Sequence, residues 1–260
     1  MEQTQIDDLG DALYLAMRER RMLSPLTETY PELTIEDAYA ISLRFLANRM
    51  QAGEKLIGKK IGVTSDAVMD MLGVRQPDFG FMTDAMRHDE EMAISGALIQ
   101  PRAEGEIAFL LNKDLQGPGV TNDDVLAATE AVMPCFEVVD SRVKDWQIKI
   151  QDTIADNASC GWFALNEAAA VDPAAVDLVN CEMTVRKNGS VISTGTGAAA
   201  MGSPVNCITW LANTLGAFGI TLERGDIVLS GSLVPLEPVV AGDEMTLHID
   251  GMGDCAVVFT

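Results

Sequence analysis

Apolar positions at the start of the chain recur at helical spacing, with Ile6, Leu9, Leu13 and Met17 on one face. Thr34 and Asp37 make a capping-box-like start ahead of Ala38, Ile41 and Phe45, and Gly53 supplies a stop. The pattern then shortens: residues 56–63 read as a strand, and 65–72 as a short helix closed by Gly73. From about Gln76 the texture changes to short strands and glycine-rich turns. Thr121 opens a helix that is expected to run through Val132 and to end at Pro134. Asn188-Gly189 sits between alternating residues of 182–193, a strong hairpin signal. Ser203-Pro204 is an N-cap and N1 pair for a helix ending near Gly216. The tail, 225–260, reads as three strands separated by Gly231, Gly242 and Gly251-Met252-Gly253. The balance predicts an α+β fold, helices early and strands late. It divides into a mostly helical region, 1–75, and a strand-rich region, 76–260, within one globular unit.

Charge narrows the function. The formal net charge is −21, from 39 acidic and 18 basic residues. Such a surface repels phosphate backbones and anionic lipids, which argues against a nucleic-acid or membrane-surface role. No apolar run approaches the ~18 residues a bilayer crossing needs. The first residues carry neither a basic n-region nor an apolar h-region, so no signal peptide is expected. The five cysteines are scattered without CxxC spacing and read as buried residues of a reducing compartment. A cytoplasmic protein follows. Only two histidines are present, His88 and His248. His88 is expected in a solvated loop and His248 facing outward from a strand. Acid–base chemistry must then rest on carboxylates and lysine.

The candidate carboxylates are Glu104 and Glu106, at the mouth of an apolar strand-like run that continues through Leu111. Residues two apart on a strand share a face. Glu137 lies in a second short strand-like run, Cys135-Phe136-Glu137-Val138-Val139. Three carboxylates from neighbouring strands make an oxygen-rich site for a hard divalent ion. Spacing alone also suits solvated residues on an exposed strand face, the commoner case. Lys60 shares its face with Gly58 and Gly62, which leaves room for a ligand to approach and makes it a better cleft candidate than Lys59. An ordinary solvated lysine fits the same pattern. Asp78, in Gln76-Pro77-Asp78-Phe79-Gly80, can cap a turn or act as a base. The polar run 152–161 either binds through hydroxyls and amides or simply turns. The segment 195–204 lacks the lysine of a phosphate loop, which excludes ATP, and no GxGxxG is present. A helix start at Ser203 can still hold a substrate carboxylate.

These segments, in this order, resemble the 2-hydroxypenta-2,4-dienoate hydratases of aromatic meta-cleavage pathways, within the fumarylacetoacetate hydrolase superfamily. The carrying residues are Ile57-Gly58-Lys59-Lys60-Ile61-Gly62-Val63-Thr64-Ser65, Leu72-Gly73-Val74-Arg75-Gln76-Pro77-Asp78-Phe79-Gly80 and the run from Gln100 to Glu106. Glu137-Val138-Val139-Asp140-Ser141-Arg142, the run from Ala155 to Gly161, and Leu229-Ser230-Gly231-Ser232-Leu233-Val234-Pro235 complete the set. The resemblance implies that Glu104, Glu106 and Glu137 bind Mg2+ or Mn2+. It implies that Lys60, Asp78, Asp156 and Ser159 line the substrate site. It further implies a mixed β-sheet roll, a homo-oligomer, and an association with the pathway decarboxylase. The sister decarboxylases, which act on 4-oxalocrotonate, share the glutamates and lysine but carry a non-acidic residue at the position of Asp78. That decarboxylase, a carbon–carbon hydrolase of the superfamily, or a silent partner subunit are the alternative readings.

Overall fold

Thr34 accepts a hydrogen bond from the backbone of Asp37 and starts α3 (Ile35–Gln51), which packs on α1 (Gln3–Glu19). The buried stripes are Ile6, Leu13 and Ala16 on α1 and Ala38, Ile41 and Phe45 on α3, as the spacing predicts. A one-turn helix, α2 (Leu26–Thr29), joins them. The computed structural model describes residues 1–65, 69–70, 74 and 76–260, so the helix expected over 65–72 falls partly outside the described residues.

The strands form two sheets. The first contains β1 (Leu56–Gly62), β2 (Asp78–Thr83), β3 (Arg87–His88), β5 (Arg102–Leu111), β6 (Thr129–Val139), β7 (Trp162–Leu165) and β10 (Ile227–Leu229). Their order is β2-β1-β10-β5-β6-β7-β3, and a two-residue strand, β11 (Glu237–Pro238), adds to β5. β1 runs parallel to β10 and antiparallel to β2, so the sheet is mixed. The second sheet is antiparallel but for one edge pair. Its order is β4-β13-β12-β8-β9, from β4 (Glu91–Met92), β8 (Glu182–Lys187), β9 (Ser190–Thr196), β12 (Glu244–Ile249) and β13 (Gly253–Phe259). Asn188 and Gly189 both have positive φ, 51° and 80°, and make the expected hairpin between β8 and β9. The tail thus holds four strands rather than three, the extra one being the short β11.

Strand parity decides how the sheets meet. Ala103, Gly105 and Ile107 point from β5 toward the second sheet, and a Cβ on Gly105 would stand 2.6 Å from Met183 Sδ. Arg102, Glu104 and Glu106 therefore point the other way. The first sheet is also rolled. The Asn157 side chain accepts from the Phe81 N–H (2.8 Å) and donates to the Phe81 carbonyl (2.9 Å), tying the β2 edge to the segment that leads into β7.

Two expectations need correction. The helix opened by Thr121, α4 (Asn122–Ala128), stops at Ala128, and Thr129 begins β6. Ten residues of non-local pairing with β5 override the local helical preference of this stretch. Pro134 sits inside β6 because its carbonyl, and so its missing N–H, faces the end of β7, where Asn166 is the donor. His88 is half-buried in β3 with its ring 4.0 Å from that of Trp162, and burial pushes its pKa down. His248 is exposed on β12 beside Asp254, as expected. All five cysteines are free and buried.

Candidate active site

Register brings the three glutamates together. Glu104 on β5 faces Glu137 on β6 directly, and Glu106 follows Glu104 on the same face. One carboxylate oxygen from each lies within 4.8 Å of the other two. Glu106 and Glu137 are buried, and Glu104 is partly open to a cavity of about 590 Å3. Glu106 Oε2 accepts the N–H of Gly231 at 2.8 Å. Gly231 has φ +92°, and a Cβ there would strike Thr64 at 2.5 Å, so the residue that holds Glu106 must be glycine. Glu106 Oε1 and Glu137 Oε2 have no hydrogen-bond partner, and Glu137 Oε1 has only the Lys60 ammonium beside it.

Buried carboxylate oxygens left unpartnered beside like charges are costly unless a cation joins them. Burial, and then the charge of Glu137, push the Glu104 carboxyl up to about 8. Burial and its two neighbours push Glu106 well above the usual carboxylate range. The donor set is all carboxylate oxygen, which suits a hard divalent cation.

Lys60 and Asp78 complete the same face. Lys60 Nζ lies 3.3 Å from Glu137 Oε1. Burial alone would push the Lys60 ammonium down, but Glu137, Asp78 and Glu104 together hold its pKa above the ordinary lysine value. Lys59, on the opposite face of β1, is paired with Asp226 instead. Asp78 stands across from Gly62 in the β1–β2 ladder. Its Oδ2 accepts from the Thr153 hydroxyl at 3.2 Å, while Oδ1 has no hydrogen-bond partner. Burial raises the Asp78 carboxyl, with Lys60 opposing. A Cβ on Gly62 would stand 2.4 Å from Asp78 Oδ1 and 3.3 Å from Lys60 Nζ, so the glycine is what lets these groups approach each other.

Ser159 lines the cavity, with Oγ 3.4 Å from Thr153 Oγ1. Asp156 is placed differently. It is fully buried outside the cavity lining, its Oδ1 taken by Arg142 Nε, its Oδ2 by the Arg142 N–H (2.8 Å) and the Ser141 hydroxyl (3.2 Å). Burial raises its carboxyl to about 6 against the pull of Arg142. Asp156 thus reaches the cavity only through its neighbours. Asn157, Ala158 and Ser159 have φ of 55°, 51° and 52°, three successive left-handed residues that cost about 1–2 kcal/mol each unless over-determined. The clamp is Arg142, which also donates to the carbonyls of Asp140, Asp156 and Cys160.

Residue spacing missed Thr153, Arg142, Arg102 and Trp146. Arg142 and Arg102 sit inside the motifs quoted above, but their partners come from distant sequence. The helix start at Ser203 caps itself through Val205 N–H, and of the glycine-rich segment before it only Ala199 lines the cavity.

The chain as a whole is similar to known proteins. The C-terminal model of fumarylacetoacetate hydrolase matches residues 69–260. The chain belongs to the fumarylacetoacetate hydrolase family. Within it, the chain is 57% identical to the 2-hydroxyhexa-2,4-dienoate hydratase of Comamonas testosteroni over 98% of this chain and 97% of that one. It is 66% identical to a 2-hydroxypent-2,4-dienoate hydratase of Pseudomonas putida, over 85% of this chain and all of that one. Among solved structures, 4-oxalocrotonate decarboxylase of Pseudomonas putida G7, complexed with magnesium and adipate, superposes with a TM-score of 0.96. It is 31% identical and covers 100% of this chain and 99% of its own.

Proposed function

We propose that the protein is a hydro-lyase that converts 2-hydroxypenta-2,4-dienoate and water into 4-hydroxy-2-oxopentanoate, in the catabolism of aromatic compounds by meta-cleavage. The observation that carries this reading is Asp78, a buried carboxylate in the cavity lining with one oxygen that accepts no hydrogen bond, on the same sheet face as Lys60 and the three glutamates. The hydratase relatives support it at 57% and 66% identity.

A divalent cation, Mg2+ or Mn2+, held by Glu104, Glu106 and Glu137 would supply Lewis acidity at the C2 oxygen of a 2-oxo acid. Lys60, an ammonium at rest, shuttles the proton: it gives one up and regains the C2 hydroxyl proton as the dienol ketonises and C5 gains a proton, leaving the conjugated 2-oxo-3-enoate. Asp78 orients a water toward C4 and accepts its proton, hydroxide adds at C4, and C3 takes up a proton. Burial raises the Asp78 carboxyl, which favours its role as a proton acceptor, and Lys60 opposes that rise, while Thr153 fixes the other oxygen. Ser159 supports the substrate from the clamped left-handed turn, and Asp156 sets that turn through Arg142.

A second reading, decarboxylation of 4-oxalocrotonate, draws on the structural superposition with that decarboxylase. Its 31% identity stands against 57% and 66% for the hydratases. Purified protein incubated with each substrate, with and without Mg2+, separates the two. Metal-dependent hydration of the dienoate is expected, and release of CO2 from the diacid alone would reverse the assignment. In the variant Asp78→Asn, kcat for hydration should fall about 100-fold or more.

We also read the protein as a cytoplasmic homo-oligomer able to associate with the pathway decarboxylase. No described helix is long and apolar enough to cross a membrane. The segment 211–218 gives less support to assembly than its composition suggests, because Leu211, Ala212 and Leu215 fill the monomer core. Support comes from Val191 and Ile192, exposed on the edge strand β9. Light scattering at micromolar concentration tests the oligomer, and co-purification with the decarboxylase tests the complex.

A further inference from the structure

Arg102 is two residues before Glu104 on β5 and lines the same cavity. Its guanidinium lies 4.6 Å over the ring of Trp146, which also lines the cavity. That indole is itself fixed, donating from Nε1 to the Gln100 carbonyl at 3.2 Å. Asp145 and Trp146 both have positive φ, 53° and 56°, so strained backbone presents the ring to the cavity rim.

The guanidinium makes no hydrogen bond or ion pair with the described residues. The other cations near the site are engaged: Lys60 with Glu137, Lys59 with Asp226, and Arg142 with Asp156. The remaining charged side chains among the described lining residues, Asp78, Glu104, Glu106 and Asp145, are all carboxylates. Of the two cationic side chains among the described lining residues, Lys60 is already paired with Glu137, and Arg102 is the one without a carboxylate partner. Stacking on the indole occupies one face of the guanidinium and leaves its N–H edges available, the geometry that grips a planar carboxylate. The lining also carries apolar side chains, Val139, Ile148, Leu233, Val234 and Leu236, suited to a short hydrocarbon chain.

We propose that Arg102, oriented by Trp146, is a substrate-binding residue that takes the carboxylate of a short-chain 2-oxo or 2-hydroxy acid. This rests on the functional reading above only for the class of acid. A monocarboxylate substrate has one anionic group, so Arg102 contributes to affinity for every acid of the class and nothing for its esters.

The test uses the full-length, Mn2+-loaded protein and 2-oxopentanoate, a saturated acid that cannot be hydrated, titrated calorimetrically. Arg102→Gln should weaken binding about 10-fold or more, with Arg102→Lys intermediate, since a lysine keeps the charge but loses the fork. Mn2+ affinity should stay unchanged, and the methyl ester of the probe should bind wild type and Arg102→Gln alike. Binding of 2-oxopentanoate by Arg102→Gln within about two-fold of wild type overturns the proposal. So does a parallel loss of Mn2+ affinity, which would place the residue's effect on the glutamates. Arg102-dependent binding by a protein that leaves the dienoate unchanged would sink the hydratase reading and leave this one standing.

Discussion

Glu104 and Glu137 stand directly opposite each other across the β5–β6 ladder, a like-charge cross-strand pair inside the protein. Opposed like charges weaken a sheet, and burial multiplies the cost. The arrangement is therefore a stability defect in the metal-free protein and an asset once a cation is held.

Substitution should test both the metal site and the fold. Glu137→Gln removes the charge that faces Glu104 and pairs with Lys60. Affinity for Mn2+ should fall by at least the 10–100-fold typical of losing an outer support of a metal site. The metal-free variant should meanwhile melt lower than metal-free wild type, because relieved repulsion does not offset a Lys60 ammonium left buried without its partner at 3.3 Å. Calorimetry of metal binding and a thermal melt in chelator check the two halves. A variant that binds Mn2+ like wild type would remove Glu137 from the ligand set.

Proton linkage gives a second prediction. Burial and Glu137 raise the Glu104 carboxyl from 4.5 to about 8 in the folded, metal-free protein. Between these values the native state holds a proton that the unfolded chain has lost. Stability of the metal-free protein should then decline as pH rises from about 4.5 to about 8, and level off above. Metal binding must displace that proton, so Mn2+ affinity should climb over the same window. Melting curves from pH 5 to 9, with chelator and with Mn2+, should show opposite trends; parallel trends would contradict the linkage.

Gly62 gives a third prediction. Its φ is not in the left-handed region, so alanine suits the backbone, but the new Cβ would stand 2.4 Å from Asp78 Oδ1. The carboxylate must shift, and a displacement of about 1 Å at a reacting group can cost on the order of 100-fold in rate. Gly62→Ala should therefore lower kcat about that much while leaving Mn2+ affinity near wild type. A hydration assay beside a metal titration decides, and unaltered kcat would mean that Asp78 is not held where it acts.

Strand parity made part of this site legible. The two-residue spacing of Glu104 and Glu106, and of Gly58, Lys60 and Gly62, placed each set on one face before any pairing was known. The partnership of Glu137 with Glu104 depends on register between strands separated by a loop and α4, which spacing does not encode. The same limit explains the helix expected through Val132: local preference was helical, but the β5 partner is remote in sequence. Arg142 and Asp156 looked like a motif arginine and a loop aspartate, and only folding joins them in one buried ion pair. Arg102 and Trp146 lie on separate elements that the rolled sheet brings to one rim.

The buried pair of Arg142 and Asp156 carries the last prediction. Arg142 is 1% exposed and bonds to Asp156 and to three carbonyls around the left-handed turn that presents Ser159. Asp156→Asn leaves that guanidinium buried without its countercharge, a change that costs about 3–5 kcal/mol. The melting temperature should drop accordingly. Loss of the clamp should also release the strain of residues 157–159, so KM for the dienoate should rise in protein that remains folded at low temperature. Arg142→Lys keeps the charge but cannot reach all the carbonyls at once. It should recover part of the stability while leaving KM high. If Arg142→Lys instead restores KM together with the melting temperature, the pair serves the fold alone and the turn keeps its shape without it.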